Sequence, residues 1–415
     1  MDNRPQRYSK TRTVTPAVVG SRSFKVSPQV KRSSIVSAQA KRSSIVSAQV
    51  KRSSIVRAVS LTLVFCLLVS LPSCSSCVQA IPDPPVVPDQ VALLTDESIR
   101  DTISDTLLVE VQESETELVV WPLTGLPTSG TDDIYRRPLS IKLENTPEAR
   151  PQLGISHADI VYESITEGGI TRFNCIFHSD IPVEVGPVRS ARNSDVSIIP
   201  QYQALFFYSG ANSTVNREIA AAGISNMSDS AAPSLYYRVN YRYAPHNLYL
   251  YLNDCYTVAA NKGFKTQVED PPSLLFGPSS HASAVDARVI TVPLSYSYTA
   301  IWDYDAASNT YSRSMGGTKT TDAENSQVVS ASNIVVLWAP HTLGVIANNS
   351  QTLNIDLTTS GAASIFFGGK RIDGTWEASA NTPPRFKDAD GNEILLTPGK
   401  TWFEVVNTNI AISAS

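Results

Sequence analysis

The sequence predicts an α+β protein: an N-terminal α/β subdomain followed by a mainly antiparallel β subdomain, placed behind a signal peptide and a disordered acidic tether. Three observations carry this. From about residue 121 to 270, short β-branched runs alternate with stretches of helical period. Beyond the break "QVEDPPSLLFGPSS" the chain turns to β-branched and aromatic runs punctuated by turn residues. The first 120 residues carry neither pattern.

Residues 1–57 contain thirteen Lys/Arg against one Asp, whereas the whole 415-residue chain has a net charge of −4. Within that basic segment a ten-residue unit, "KRSSIVSAQA", recurs from Lys31, Lys41 and Lys51. It is too short for a solenoid repeat and has no apolar face to stack, so disorder is expected. Either it is a cytoplasmic tail lying on anionic lipid, or translation begins near Val50, with Lys51, Arg52 and Arg57 as the n-region of an ordinary signal peptide.

Residues 58–77 begin with "AVSLTLVFCLLVSL", an uncharged run of fourteen residues. That is shorter than the roughly 20 a membrane-spanning helix needs, so it reads as a signal-peptide h-region. It ends in Leu71-Pro-Ser-Cys74, which resembles the lipobox of bacterial lipoproteins and makes Cys74 the candidate lipidation site. The alternative is an uncleaved N-terminal transmembrane helix. Both place the rest of the chain outside the cytoplasm, held to the membrane by lipid or helix. Residues 78–120, opening "VQAIPDPPVVPD", are proline-rich and acidic and should act as an extended tether.

In the domain expected over 121–270, strands are predicted at 138–143, 159–165, 171–178 and 204–209, and helices at 192–201, 212–222 and 252–262. In the domain expected over 280–410, strands are predicted at 288–298, 300–304, 311–314, 333–338, 363–367, 385–387, 393–396 and 402–406. "DADGNE" and "FFGGKR" supply hairpin turns. Cys175 and Cys255 are the cysteines of this part; they either remain buried thiols or form one bridge.

Side chains alternate along a strand. Phe173, Cys175 and Phe177 therefore share one face and Arg172, Asn174 and His178 the other. The same rule groups Ser140, Lys142 and Glu144, and Asp159, Val161 and Glu163. Charges at such positions are rarely buried unless paired. Between residues 136 and 242 there are nine arginines and one lysine, a bias toward the guanidinium fork that suits bidentate pairing with a carboxylate or phosphate. In "VGPVRSAR", Arg189 and Arg192 fall at a predicted helix start, where cations are disfavoured and an anion is favoured. They therefore either cradle an external anion or pair with Glu163, Glu167 or Glu184. "YRYAPHNLYLY" sets His246 and Asn247 among tyrosines, a lining suited to sugar or peptide recognition or else a structural aromatic cluster.

Phosphate-binding glycine loops, His-Glu-x-x-His, Gly-x-Ser-x-Gly and dinucleotide fingerprints are all missing, as is any metal-type Cys/His spacing. No cofactor and no metal are expected. Residues 121–415 carry 20 basic and 27 acidic side chains, which argues against nucleic acid as a partner.

"RRPLSIKLENTPEARPQLGISHADIVYESITEGGITRF", "VGPVRSAR", "YAPHNLY", "WDYD", "GTWEAS" and "LTPGKTWFEVV" together resemble the YerB-like lipoproteins, a family of unknown function found mainly in Gram-positive bacteria. The resemblance runs from about Trp121 to Val406 and implies a lipid-anchored envelope protein on the outer face of the cytoplasmic membrane, with no defined reaction. Its polar motif positions fall on Glu144, Asn145, Arg150, Asp159, Glu163, Glu167, Arg172, Arg189, Arg192, His246 and Asn247. A histidine expected near residue 320 is absent, although Asp322 is kept. The leading expectation is a cleft, formed by Asn145, Arg150, Glu167, Arg172, Arg189, Arg192, His246 and Asn247, that binds an anionic or polyhydroxylated cell-wall component. Two alternatives stay open. One is a hydrolase of wall glycans or phosphodiesters, with Glu144 and Glu163 as paired catalytic carboxylates. The other is an interaction scaffold whose charges are all internally paired.

Overall fold

A computed structural model describes residues 119–415, apart from 131, 279–282 and 346–350. The basic repeat, the apolar run, Cys74 and nearly all of the acidic tether lie outside the described residues. Among those described, no helix is long and apolar enough to cross a membrane.

The described part is mostly β-sheet with few helices. Its frame is a ten-stranded sheet built from both halves of the chain. The strands are β1 (Leu139–Glu144), β2 (Ile160–Ile165), β3 (Thr171–Phe177), β4 (Leu205–Phe207), β5 (Asn333–Trp338), β6 (Ser360–Phe367), β7 (Lys370–Ser379), β8 (Thr382–Lys387) and β9 (Thr401–Val406). They lie in the order β8-β7-β6-β5-β9-β2-β3-β1-β4, with Val285–Asp286 added against β7. The halves join at the centre, where β9 runs parallel to both β2 and β5. A texture change in sequence therefore does not become a break in the sheet.

Both faces of this sheet are covered. Helices α1 (Asn193–Gln201) and α2 (Ser213–Ala221) press Ile198, Ile199, Val215 and Ile219 onto the face bearing Tyr162, Ile176, Phe206 and Phe403. The opposite face carries Leu143, Phe173, Cys175 and Trp402. It packs against α3 (Cys255–Asn261), a three-stranded sheet including Leu248–Tyr251, and a six-stranded sheet including Val289–Pro293, Thr299–Asp305 and Thr310–Met315. Cys175 and Cys255 are both free and buried.

Most predicted elements reappear with shifted ends, and the differences have local causes. The strand expected at 288–298 stops at Pro293 because Ser295 turns the chain, its hydroxyl accepting the Tyr298 N–H at 3.1 Å. The strand expected at 393–396 makes only single bridges at Glu393 and Leu396. The hairpin of His341–Val345 and Gln351–Ile355 and the ten-residue β7 had no strong alternation to announce them. "FFGGKR" does form a tight hairpin, Gly368 and Gly369 both taking positive φ (56° and 72°) between β6 and β7. That conformation is open to glycine at little cost.

Candidate functional site

β1 explains how charge reaches the interior. All six residues of "LSIKLE" are buried, so alternation sends Leu139, Ile141 and Leu143 to one side and Ser140, Lys142 and Glu144 under the helices. The polar side is satisfied by a network. Lys142 Nζ donates to Asp195 Oδ1 at 2.7 Å, Asn174 Nδ2 donates to the same oxygen at 2.9 Å, and the Ser140 hydroxyl donates to Asn174 Oδ1 at 2.8 Å. Asp195 also takes the Arg192 backbone N–H at 2.7 Å on its other oxygen, anchoring the start of α1. Burial lowers the Lys142 pKa, and Asp195 opposes that shift.

At the end of β1 the network opens into a cluster of arginines. Glu144, buried, meets Arg189 Nε at 3.2 Å and His246 Nδ1 at 3.0 Å, and accepts from the Thr146 hydroxyl at 3.1 Å. Arg192 Nε donates to Glu167 Oε2 at 2.6 Å, while the Thr352 hydroxyl donates to the other Glu167 oxygen at 3.2 Å. Arg172 is close enough to both pairs to feel their charges. It faces Glu144 in register across β1 and β3, yet its Nη1 donates only to the Ser190 carbonyl at 2.8 Å and its Nε has no hydrogen-bond partner among the described residues. With 5% of its surface exposed, Arg172 is a buried cation without a carboxylate of its own. Burial, then the charges of Arg192 and Arg189, push its pKa down to about 9. Arg189 and Arg192 remain partly open, at 20% and 18% side-chain exposure. Arg172 and Glu144 are therefore buried, while Arg189 and Arg192 beside them stay partly accessible.

The opposite face holds a second charged cluster. Glu163 accepts from Arg313 Nη2 at 2.6 Å, from the Thr171 hydroxyl at 2.6 Å and from Asn145 Nδ2 at 3.1 Å. Asn145 Oδ1 in turn accepts from Arg150 Nε at 3.0 Å. The Arg313 guanidinium lies 5.3–6.0 Å from the ring centres of Phe173, Trp302 and Trp402, a cation held by aromatic faces. Glu404 stands beside Glu163 in register, takes the Trp302 indole N–H at 2.8 Å, and has a pKa raised well above the carboxylate range by burial and by Glu163.

The expected residues thus divide. Glu144, Glu167, Arg172, Arg189, Arg192 and His246 come together. Asn145, Arg150 and Glu163 belong to the other side of the sheet. Asn247 stays within its own hairpin, accepting from Arg238 at 2.7 Å and donating to the Val239 carbonyl at 3.2 Å. Glu144 and Glu163 do not face a common groove, because Glu144 pairs in register with Arg172 whereas Glu163 pairs with Phe173, its neighbour on the other face. Asp322 is a structural clamp: its carboxylate accepts the N–H groups of Gly154, Ser156 and Glu324 at 2.8–2.9 Å. Arg313, Glu404 and the role of Asp195 are additional. An acid within the apolar "TWFEVV" was the sequence signal for Glu404.

The two halves of the chain that build this shared sheet both match the DUF3048 proteins of unknown function. Residues 123–265 match their N-terminal domain and 290–403 their C-terminal domain, and the chain belongs to this family. It is 33% identical over 298 residues to "Putative lipoprotein YerB" of Bacillus subtilis (strain 168), an alignment spanning 71% of this chain and 88% of that protein. The crystal structure of the YerB protein from Bacillus subtilis is similar with a TM-score of 0.63 at 31% identity, over 71% of this chain and 99% of that one.

Proposed function

We propose that the chain is an envelope lipoprotein, anchored to the outer face of the cytoplasmic membrane through Cys74, whose folded part binds an anionic cell-wall component between Arg172, Arg189 and Arg192. The anchor rests on Leu71-Pro-Ser-Cys74 after the apolar run and on the lipoprotein description of the Bacillus relative. The binding function rests on Arg172. A scaffold with fully paired charges has no need of a buried guanidinium flanked by two others, whereas an incoming anion would complete it.

The His246–Glu144 contact also has the geometry by which a carboxylate orients an imidazole for proton transfer, so the same experiment should look for cleavage. Full-length protein in detergent, immobilised and exposed to solubilised wall fragments, is expected to retain anionic fragments, and Arg172→Gln is expected to lose them; mass spectrometry of both fractions reads binding and shortening together. Equal retention by the two proteins, or none by either, would contradict the reading. Cys74→Ser is expected to leave the detergent phase, and if it stays there an uncleaved helix is the anchor.

A further inference from the structure

The ion pairs beside Arg172 are linked to two loops that each carry a nearly fully exposed tyrosine. On one side Arg189 meets Glu144, Glu144 meets His246, and the His246 N–H donates to the Tyr243 carbonyl at 2.9 Å within the loop joining Tyr236–Arg238 to Leu248–Tyr251. On the other side Arg192 meets Glu167, two residues before Gly169. The Gly169 carbonyl accepts from the Ser295 hydroxyl at 2.6 Å, and the ring of Tyr296 packs so closely on Gly169 that a Cβ there would lie 3.0 Å from it. Tyr243 is 90% exposed and Tyr296 93%. These two loops come from different halves of the chain, and both are tied to the cleft by hydrogen bonds or ion pairs.

Charge narrows the ligand. Lys142 is matched by Asp195, Arg189 by Glu144 and Arg192 by Glu167. Arg172 is left over, so the cleft is short by a single negative charge. A terminal phosphate would overfill it; a phosphodiester or a carboxylate, each singly charged with two equivalent oxygens, would fit. A phosphodiester lies inside a chain, and a ring carboxylate can, so the ligand can continue on both sides. The exposed rings of Tyr243 and Tyr296 offer flat faces to the apolar faces of sugar rings.

Resting on the anion-binding reading above, we propose that the ligand is a glycan chain bearing one internal monoanion, with the anion on Arg172, Arg189 and Arg192 and flanking sugars stacked on Tyr243 and Tyr296. The test is calorimetric titration of the full chain in detergent at low salt. Four probes are used: a phosphodiester-linked oligosaccharide, a uronate-bearing oligosaccharide, a neutral oligosaccharide of the same length, and dimethyl phosphate. At least one charged oligosaccharide should bind ten-fold or more tightly than both the neutral chain and dimethyl phosphate, and which one binds identifies the anion. The Y243A/Y296A double variant should weaken that binding at least ten-fold and leave dimethyl phosphate unchanged. Both tyrosines are exposed, so folding is not at issue. Unaltered oligosaccharide affinity in the double variant overturns the glycan inference while leaving anion binding intact. Failure of every charged probe to bind, or binding indifferent to Arg172→Gln, overturns both.

Discussion

Glu144 and Arg172 stand directly opposite each other on β1 and β3, an acid and a cation in register, yet one carboxylate oxygen takes both Arg189 and His246, and the other oxygen and the Arg172 Nε have no hydrogen-bond partner among the described residues. Two further arginines close by make the position worse for a cation. Such an arrangement is costly in the free protein, and the proposed anion binding rests on that cost.

Lys142 and Asp195 behave oppositely, because they are fully buried and matched at 2.7 Å. Asp195→Ala should strand the ammonium, leave Asn174 short of an acceptor and free the Arg192 N–H at the head of α1, costing about 3–5 kcal/mol. Lys142→Met combined with Asp195→Ala should recover a large part of that. Urea unfolding of the two single variants and the double variant measures it; additive losses would mean the two side chains are not coupled.

Burial, and then Glu163, raise the Glu404 pKa well above its ordinary value, which favours the protonated form. Its folded pKa is raised, so its contribution is fully present below the unfolded value, about 4.3, and is lost as pH rises through the folded one. Glu404→Gln should therefore be close to neutral at acidic pH and relatively stabilising as pH rises. Arg313→Met should cost about 3–5 kcal/mol by stranding Glu163. Thermal unfolding across pH checks both, and a Gln variant that is destabilised at every pH would show that Glu404 is ionised.

His157 joins the two halves of the chain: Nδ1 lies 2.7 Å from Asp180 and Nε2 lies 2.6 Å from Glu324. Burial works against protonation there, but the two carboxylates outweigh it and raise the pKa. The stabilisation is complete below the ordinary value of 6.5 and is lost as pH rises through the raised folded value. His178, by contrast, is driven down to about 4 by burial and by Arg136, so its contribution is lost as pH falls from 6.5 towards 4. Because the two windows lie on opposite sides of 6.5, a fall in melting temperature above that pH that disappears in His157→Gln belongs to the clasp. Persistence of the fall in the variant would assign it elsewhere.

Much of this was legible one strand at a time. Alternation in "LSIKLE" and "TRFNCIF" correctly placed Ser140, Lys142, Arg172 and Asn174 on one polar face, and the Gly-Pro break in "VGPVRSAR" placed Arg189 and Arg192 at the head of a helix. Gly186 itself is required by close packing, since a Cβ would lie 2.4 Å from the Tyr249 ring. What alternation within one strand cannot show is the register between strands. Glu144 and Glu163 each looked like a candidate acid, but strand pairing sends them to opposite faces. Beside the nearby Asn145 and Thr171, Glu163 meets residues 313 and 404, more than a hundred positions away, and no local pattern connects those two to it.

The account depends on Arg172 being held for an external anion, and the most direct measurement is urea unfolding of wild type and Arg172→Met with and without anionic wall fragments. Without fragments the variant should be as stable as wild type or up to about 2 kcal/mol more stable, because an apolar side chain replaces a buried charge with no carboxylate of its own. With fragments, wild type alone should gain stability. A variant that is about 3–5 kcal/mol less stable without ligand, or one that gains as much as wild type with it, would contradict the account.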